Sequence, residues 1–245
     1  QPSNGLWSYG AFIETGRIID SSPNGKLKTM MRAIINKYPV EVMITPNQDV
    51  IFTNIPEAIK NDFEADLKSF GCGKRNGKPY SRLRLLSGAC VGRDTCRLTY
   101  TDSERFIPKL IDELEKLGWG DLTESIGITG CERQCFRPST KAVGFVGSGM
   151  DRYQMRLMGS EDARFQGRPV ISSDDQMYLR MIPPESVVVV LDTLFKHYKT
   201  NMKSEESLGA FNRRVGMDYL IQMFKDNPTT AELMAKTYPT DCVID

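Results

Sequence analysis

With 245 residues, 40% of them hydrophobic, the chain is long enough for one large domain or two small ones around a sizeable core. Its 32 Lys and Arg against 31 Asp and Glu leave a net charge of +1, which excludes the global field of a nucleic-acid binder. No apolar run approaches the roughly 18 residues of a membrane span. Gln1-Pro2-Ser3-Asn4 does not open a signal peptide, and the missing initiator Met points to a fragment, an expression product or processing.

The elements follow in chain order. Residues 7–13 read as a strand ending at the Gly16 turn. Residues 26–38 set Leu27, Met30, Met31, Ile34 and Ile35 on one helical face. Residues 40–45 alternate as a half-buried strand, Pro46-Asn47-Gln48 turns, and residues 49–53 form a second strand. Pro56 opens a helix that runs to about Phe70. This strand–helix–strand–strand–helix order suits a ferredoxin-like α+β unit. The Gly- and Pro-rich basic stretch 71–84, with five Lys or Arg and no acid, marks a boundary between a first domain over 1–75 and a second over 76–245. In the second domain residues 82–86 read as a strand. Thr101-Asp102-Ser103-Glu104 has capping-box spacing before a helix to about Leu117. Residues 125–129 read as a strand, and 141–146 and 153–157 as strands paired around the turn Gly147-Ser148-Gly149. Helices follow at 185–198, near 205–213 and at 217–224. The class is α+β.

Metal or redox chemistry here runs on sulfur, because His197 is the single histidine and excludes multi-histidine sites. The six cysteines at 72, 90, 96, 131, 135 and 242 are too sparse for a disulfide scaffold and read as reduced, cytoplasmic thiols. Two pairs stand out: Cys90 and Cys96 with five residues between, then Cys131 and Cys135 with three between. Four thiolates are the usual ligand set of a [4Fe–4S] cluster. Structural zinc is the competitor, but it favours short knuckles in both pairs, which the five-residue gap fits poorly. Buried, unliganded cysteines are the third reading.

The surrounding residues resemble a family. Ala89-Cys90 through Cys96, followed by Ser103-Glu104-Arg105, is similar to the first cluster pair of sirohaem-dependent sulfite and nitrite reductases. Thr129-Gly130-Cys131-Glu132-Arg133-Gln134-Cys135, then Arg137-Pro138 and Gly144-Phe145-Val146-Gly147, is similar to the second. Phe12-Ile13-Glu14 with Gly16-Arg17-Ile18 and Asp20, then Thr45-Pro46-Asn47-Gln48, resembles the repeat preceding the cluster domain. Glu206 to Phe211 with Arg214-Val215-Gly216 resembles a further family segment. The likeness runs collinearly over about residues 5–220.

The resemblance implies a ferredoxin-like half-domain followed by an iron–sulfur and sirohaem-binding domain. It implies that Cys90, Cys96, Cys131 and Cys135 hold a [4Fe–4S] cluster, with Cys135 also the axial bridge to the sirohaem iron. Sirohaem carries eight carboxylates, so its pocket needs cations and backbone N–H donors. Arg93, Arg97, Arg133, Arg137, Lys141 and the amides of Gly147 to Gly149 are the candidates here, and Asn47 and Gln48 match the family's Asn-Gln turn. Each of these arginines reads equally well as a solvated surface residue. The implied activity is six-electron reduction of sulfite or nitrite with an electron donor such as ferredoxin. The basic 74–84 loop reads as a dock for such an acidic donor, as a contact to sirohaem carboxylates or as a solvated linker. A non-catalytic iron–sulfur module and a zinc-stabilised domain are the alternatives.

Two departures accompany the resemblance. Where the family has Pro-Asn-Gly or Pro-Asn-Ser between the last two cysteines, this chain has Glu132-Arg133-Gln134. Full-length family members also carry a preceding half that supplies most of the substrate-gripping Lys and Arg, so a missing N-terminal half is the expected partner.

Overall fold

The computed structural model describes residues 5–21 and 23–240, which fall into two compact units dividing between Ser81 and Arg82. Cys242 lies outside the described residues.

The first unit follows the predicted order. It comprises β1 (Leu6–Ala11), α1 (Leu27–Lys37), β2 (Glu41–Ile44), β3 (Val50–Pro56) and α2 (Lys60–Ser69). β3 is central and pairs antiparallel with β1 and β2. α1 buries Leu27, Met30 and Ile34, one helical face, in a cluster with Phe52, Phe63 and Leu67. Phe63 meets the rings of Tyr9, Tyr38 and Phe52 edge-on. Ile35, expected on the same face, is 47% exposed, because its helical position falls about 100° round from Ile34. β2 corrects a second expectation: all four of its residues are exposed. Alternation assigns each side chain to a face but does not say that the face is covered, and β2 is an edge strand. The basic loop turns back on itself as a two-stranded ribbon at Lys74–Arg75 and Lys78–Pro79. Arg75 is engaged there, pairing with the buried Glu14 at 2.7 Å.

The second unit is built on a six-stranded mixed sheet. Its elements are α3 (Arg82–Leu86), β4 (Gly88–Ala89), α4 (Phe106–Lys116), β5 (Ile126–Thr129), β6 (Val143–Gly149), β7 (Arg152–Leu157), β8 (Arg168–Ile171) and β9 (Met177–Tyr178). The helices α5 (Pro184–Asn201), α6 (Leu208–Val215), α7 (Met217–Asp226) and α8 (Ala231–Met234) complete it. The spatial strand order is β9-β8-β7-β6-β5-β4. β4, β5 and β6 run parallel, and the remaining pairs are antiparallel. β5 is buried at every position, as a strand covered on both faces should be. The apolar faces of α4 and α5 share its core: Leu110, Leu114, Leu191 and Phe195 cluster with Ile126, Ile128 and Phe145.

Here the structure corrects four local readings. Residues 82–86 are a helix rather than a strand. Arg-Leu-Arg-Leu mimics a period of two, but Arg84 is 2% exposed and its guanidinium binds Asp112 at 2.6 Å and Glu115 at 2.8 Å, both on α4. Removing a buried cation from two carboxylates leaves both underpaired, so Arg84→Ala should lower stability by about 2 kcal/mol, seen as a Tm drop of roughly 4–8 °C in thermal unfolding.

The capping box does not form. α4 starts at Phe106 without a side-chain cap, and Ser103 instead donates from Oγ to the Cys90 carbonyl at 3.0 Å. Asp102 accepts from the Ser103 amide at 2.8 Å and from Arg105 Nε at 2.8 Å. The glycine-rich hairpin turn is also displaced. Gly147 and Gly149 lie within β6, with a register shift between them, and the chain reverses at Met150 and Asp151, the latter at φ 50°. Finally, β8 and β9 carry no alternation long enough to read in the sequence. The second C-terminal helical stretch begins at Leu208, where Ser207 caps it by accepting from the Ala210 amide.

Candidate functional site

The two cysteine pairs come together because of the parallel end of the sheet. Cys90 follows β4 directly, and Gly130-Cys131 follows β5, its parallel neighbour. Both chains therefore leave the sheet at the carboxyl ends of adjacent strands, where open sheets place their binding crevices. The Cys90 amide still donates to the Ile128 carbonyl at 3.0 Å, continuing the ladder. The loop then turns at Gly92, φ 63°, whose carbonyl accepts from the Cys96 amide at 2.9 Å. A Cβ at Gly92 would lie 2.7 Å from Ser103 Oγ. The amides of Tyr100 and Thr101 both bond the Gly130 carbonyl, at 2.8 and 3.3 Å. The first cysteine loop is thus sewn onto the start of the second.

Polar groups converge on the sulfurs. The Gly130 amide donates to Cys90 Sγ at 3.3 Å, and Ser103 Oγ lies 3.1 Å from the same sulfur. Hydrogen bonds of this kind to thiolate sulfur are a protein's means of tuning an iron–sulfur potential. Cys131 is buried and Cys135 exposed. Burial first, then the charges of Cys90, Cys131 and Cys96, push the Cys135 thiol upward, so all four sulfurs share one electrostatic neighbourhood. Among the described residues no group of three or more His, Cys, Asp or Glu is tight enough to hold a single metal ion. This donor set fits a polyatomic core: four thiolates are its ordinary ligands, and the Gly130 N–H at Cys90 suits bound sulfur. Neither the Gly130 amide nor the Ser103 hydroxyl carries a sequence signal for contact with a cysteine; Ser103 stands out there only within the stretch that follows the first cysteine pair.

The expected cofactor contacts are placed less uniformly. Arg97 and Arg133 are exposed and form no ion pair among the described residues. Arg137, also exposed, adopts φ 54° beside Cys135 and Phe136. Arg93 binds Asp151 at 2.5 Å and the Tyr100 carbonyl at 2.8 Å, clamping the cysteine loop to the β6–β7 turn. Lys141 is 3% exposed, straddles both oxygens of Glu161 at 3.0 and 3.1 Å, and sits 5.5 Å from the centre of the Phe136 ring. Gly147 and Gly149 serve close packing: a Cβ would lie 2.2 Å from the Gly130 oxygen at the first and 2.7 Å from Met181 Cε at the second.

In the first unit Gln48, φ 70°, donates its amide to Thr45, and Asp49 ties the same turn to Ile13. Its side-chain oxygen is buried with no hydrogen-bond partner among the described residues, while Asn47 is exposed. An amide end left unsatisfied in this way fits a polar group that arrives with a ligand.

Clefts of about 550, 470 and 330 Å³ open at His197 and Tyr219, at Arg180 and Tyr238, and at Glu124 and Glu161, and no cysteine lines them. His197 Nε2 lies 3.0 Å from Tyr219 Oη, and burial lowers its imidazole below the usual range.

Comparison with known proteins gives this site its context. No family model matches the chain. The sulfite reductase [NADPH] hemoprotein beta-component of Chromohalobacter salexigens is 32% identical over 221 residues, 89% of this chain and 36% of that protein. Its counterpart in Bacillus velezensis is 33% identical over 217 residues, 87% of this chain and 36% of that protein. The chain belongs to the nitrite/sulfite reductase family. It spans little more than a third of the length of these curated relatives. The NirA protein of Mycobacterium tuberculosis shares the fold, with a TM-score of 0.69 at 22% identity over 89% of this chain and 40% of that one. Dissimilatory sulfite reductase I also shares it, with a TM-score of 0.60 at 9% identity over 98% of this chain and 73% of that one. In the turn between Cys131 and Cys135, Gln134 occupies a left-handed conformation, φ 52°, that a side chain rarely adopts.

Proposed function

We propose that this chain is the cluster-bearing part of a sirohaem-dependent sulfite or nitrite reductase, in which Cys90, Cys96, Cys131 and Cys135 hold a [4Fe–4S] cluster and Cys135 is shared with the sirohaem iron. The observation that carries the reading is the exit of Cys90 and Cys131, the first cysteine of each pair, from adjacent parallel strand ends, with the Gly130 amide 3.3 Å from the Cys90 sulfur. When bound, the coupled pair supplies single electrons, the form in which a six-electron reduction of a small oxyanion must be fed.

The chain's own residues have separable tasks in this reading. The Gly130 amide stabilises negative charge on the Cys90 sulfur, while the Ser103 hydroxyl, donated to the Cys90 carbonyl, fixes the loop beside it. Arg97, Arg133, Arg137 and the glycine-rich strand from Gly147 to Gly149 supply donors to cofactor carboxylates. Arg93 and Lys141, held by Asp151 and Glu161, act by fixing loops. The oxyanion's main cationic grip, and the surface for a donor such as ferredoxin, belong to a complete enzyme of the relatives' length.

Anaerobic reconstitution of the chain with iron, sulfide and sirohaem tests the proposal. The expected product shows broad cluster absorption together with haem bands, and Cys135→Ser uncouples the two chromophores while the haem bands weaken. Spectra unchanged by Cys135→Ser would overturn the shared-ligand assignment.

A further inference from the structure

The left-handed turn that delivers Cys135 is held by a side-chain relay from outside the cysteine loop. Gln134 lies at φ 52° and Arg137 at φ 54°, so the exposed cysteine is bracketed by two left-handed residues that are not glycine. The turn closes on itself through Gln134 N to Cys131 O at 3.3 Å and Arg137 N to Gln134 O at 2.7 Å. A residue with a Cβ in this region is disfavoured by about a factor of ten in population, so something must select it. The Gln134 side-chain oxygen accepts from Ser139 Oγ at 2.7 Å, and Ser139 Oγ accepts from Arg156 Nη1 at 3.0 Å. Ser139 is 9% exposed, and Arg156 sits on β7, inside the antiparallel ladder with β6 and β8. The same Nη1 lies 3.4 Å from the Gly167 carbonyl. A rigid sheet thus reaches, through one arginine and one serine, the residue immediately before Cys135.

We propose that Arg156 is a positioning residue: through Ser139 it holds Gln134 in its left-handed state and so sets the loop presenting Cys131 and Cys135. The relay substitutes for the conformational freedom that a glycine at 134 has intrinsically. This deepens the cluster reading and rests on it for its purpose, but the geometry is testable without metal. Cys131 is 6% exposed, so its alkylation in the reduced, metal-free chain requires the loop to open.

The test measures Cys131 alkylation, peptide by peptide, in the wild type, Arg156→Met and Ser139→Ala, each with and without Gln134→Gly. Both relay variants should raise the Cys131 rate about tenfold, the inverse of the conformational penalty that the relay offsets. Gln134→Gly alone should stay within about twofold of wild type, and in its background the relay variants should add less than about twofold, because glycine needs no clamp. In iron- and sulfide-loaded protein the same variants should bleach faster under a chelator, again with rescue by Gln134→Gly. A Cys131 rate unchanged in both relay variants would overturn the proposal, and so would an equal rise in both backgrounds, which would mean that Arg156 supports the sheet in general. Should the wild type take up no iron at all, the cluster reading fails while the alkylation series still decides the relay.

Discussion

A Cys131→Ala chain takes up no stable iron–sulfur cluster, and its iron and sulfide content after reconstitution falls by more than roughly tenfold against the wild type. Cys131 is the most enclosed of the four paired cysteines, 6% exposed, and Thr129 Oγ1 donates to its carbonyl at 3.2 Å as the chain leaves β5. No histidine stands by as a substitute, since His197, the single histidine, lines a cleft without cysteines. The variant should fold: trading a small buried thiol for a methyl costs about 1 kcal/mol or less in a site that already packs. Metal analysis and far-UV circular dichroism together check both halves of the statement. Full cluster content in Cys131→Ala would exclude it as a ligand.

Gly147→Ala has a large expected effect while leaving the sulfurs in place. The new Cβ would meet backbone, the Gly130 oxygen at 2.2 Å and carbon at 2.5 Å, so no side-chain rotation relieves it. Gly130 is also the residue whose amide reaches Cys90 Sγ and whose carbonyl anchors Tyr100 and Thr101. Forcing β6 away from it should lower stability by about 3 kcal/mol, roughly 6–12 °C in Tm, and should weaken cluster retention in the same protein. Gly10→Ala is the control, because nothing lies within 4 Å of its Cβ, and its change should stay under about 0.5 kcal/mol. Thermal unfolding that does not distinguish the two variants would contradict the packing argument.

How much of this was legible in the sequence depended on whether the signal was local. The α1 face of Leu27, Met30 and Ile34 is a helical period and was readable, as were β5 and the long helix α5. Residues 82–86 misled because the partners that make Arg84 helical and buried, Asp112 and Glu115, lie on another element. Thr101 to Glu104 has the spacing of a capping box, yet the helix starts only at Phe106, beyond the box, with no side-chain cap. The cysteine spacing alone left zinc and iron–sulfur both open. What brings the pairs to one place is the parallel adjacency of β4 and β5, a long-range pairing with no local signature. Gln134 shows the same limit: its left-handed turn contradicts its residue type, and the explanation lies in Ser139 and Arg156.

Chemical analysis of iron, acid-labile sulfide and zinc in the anaerobically prepared chain tests the central claim most directly. The account predicts about four irons and four sulfides per chain, no zinc, and loss of both on replacing Cys90, Cys96, Cys131 and Cys135 together. One zinc per chain with no sulfide, or disulfides between these cysteines in place of metal, would contradict it.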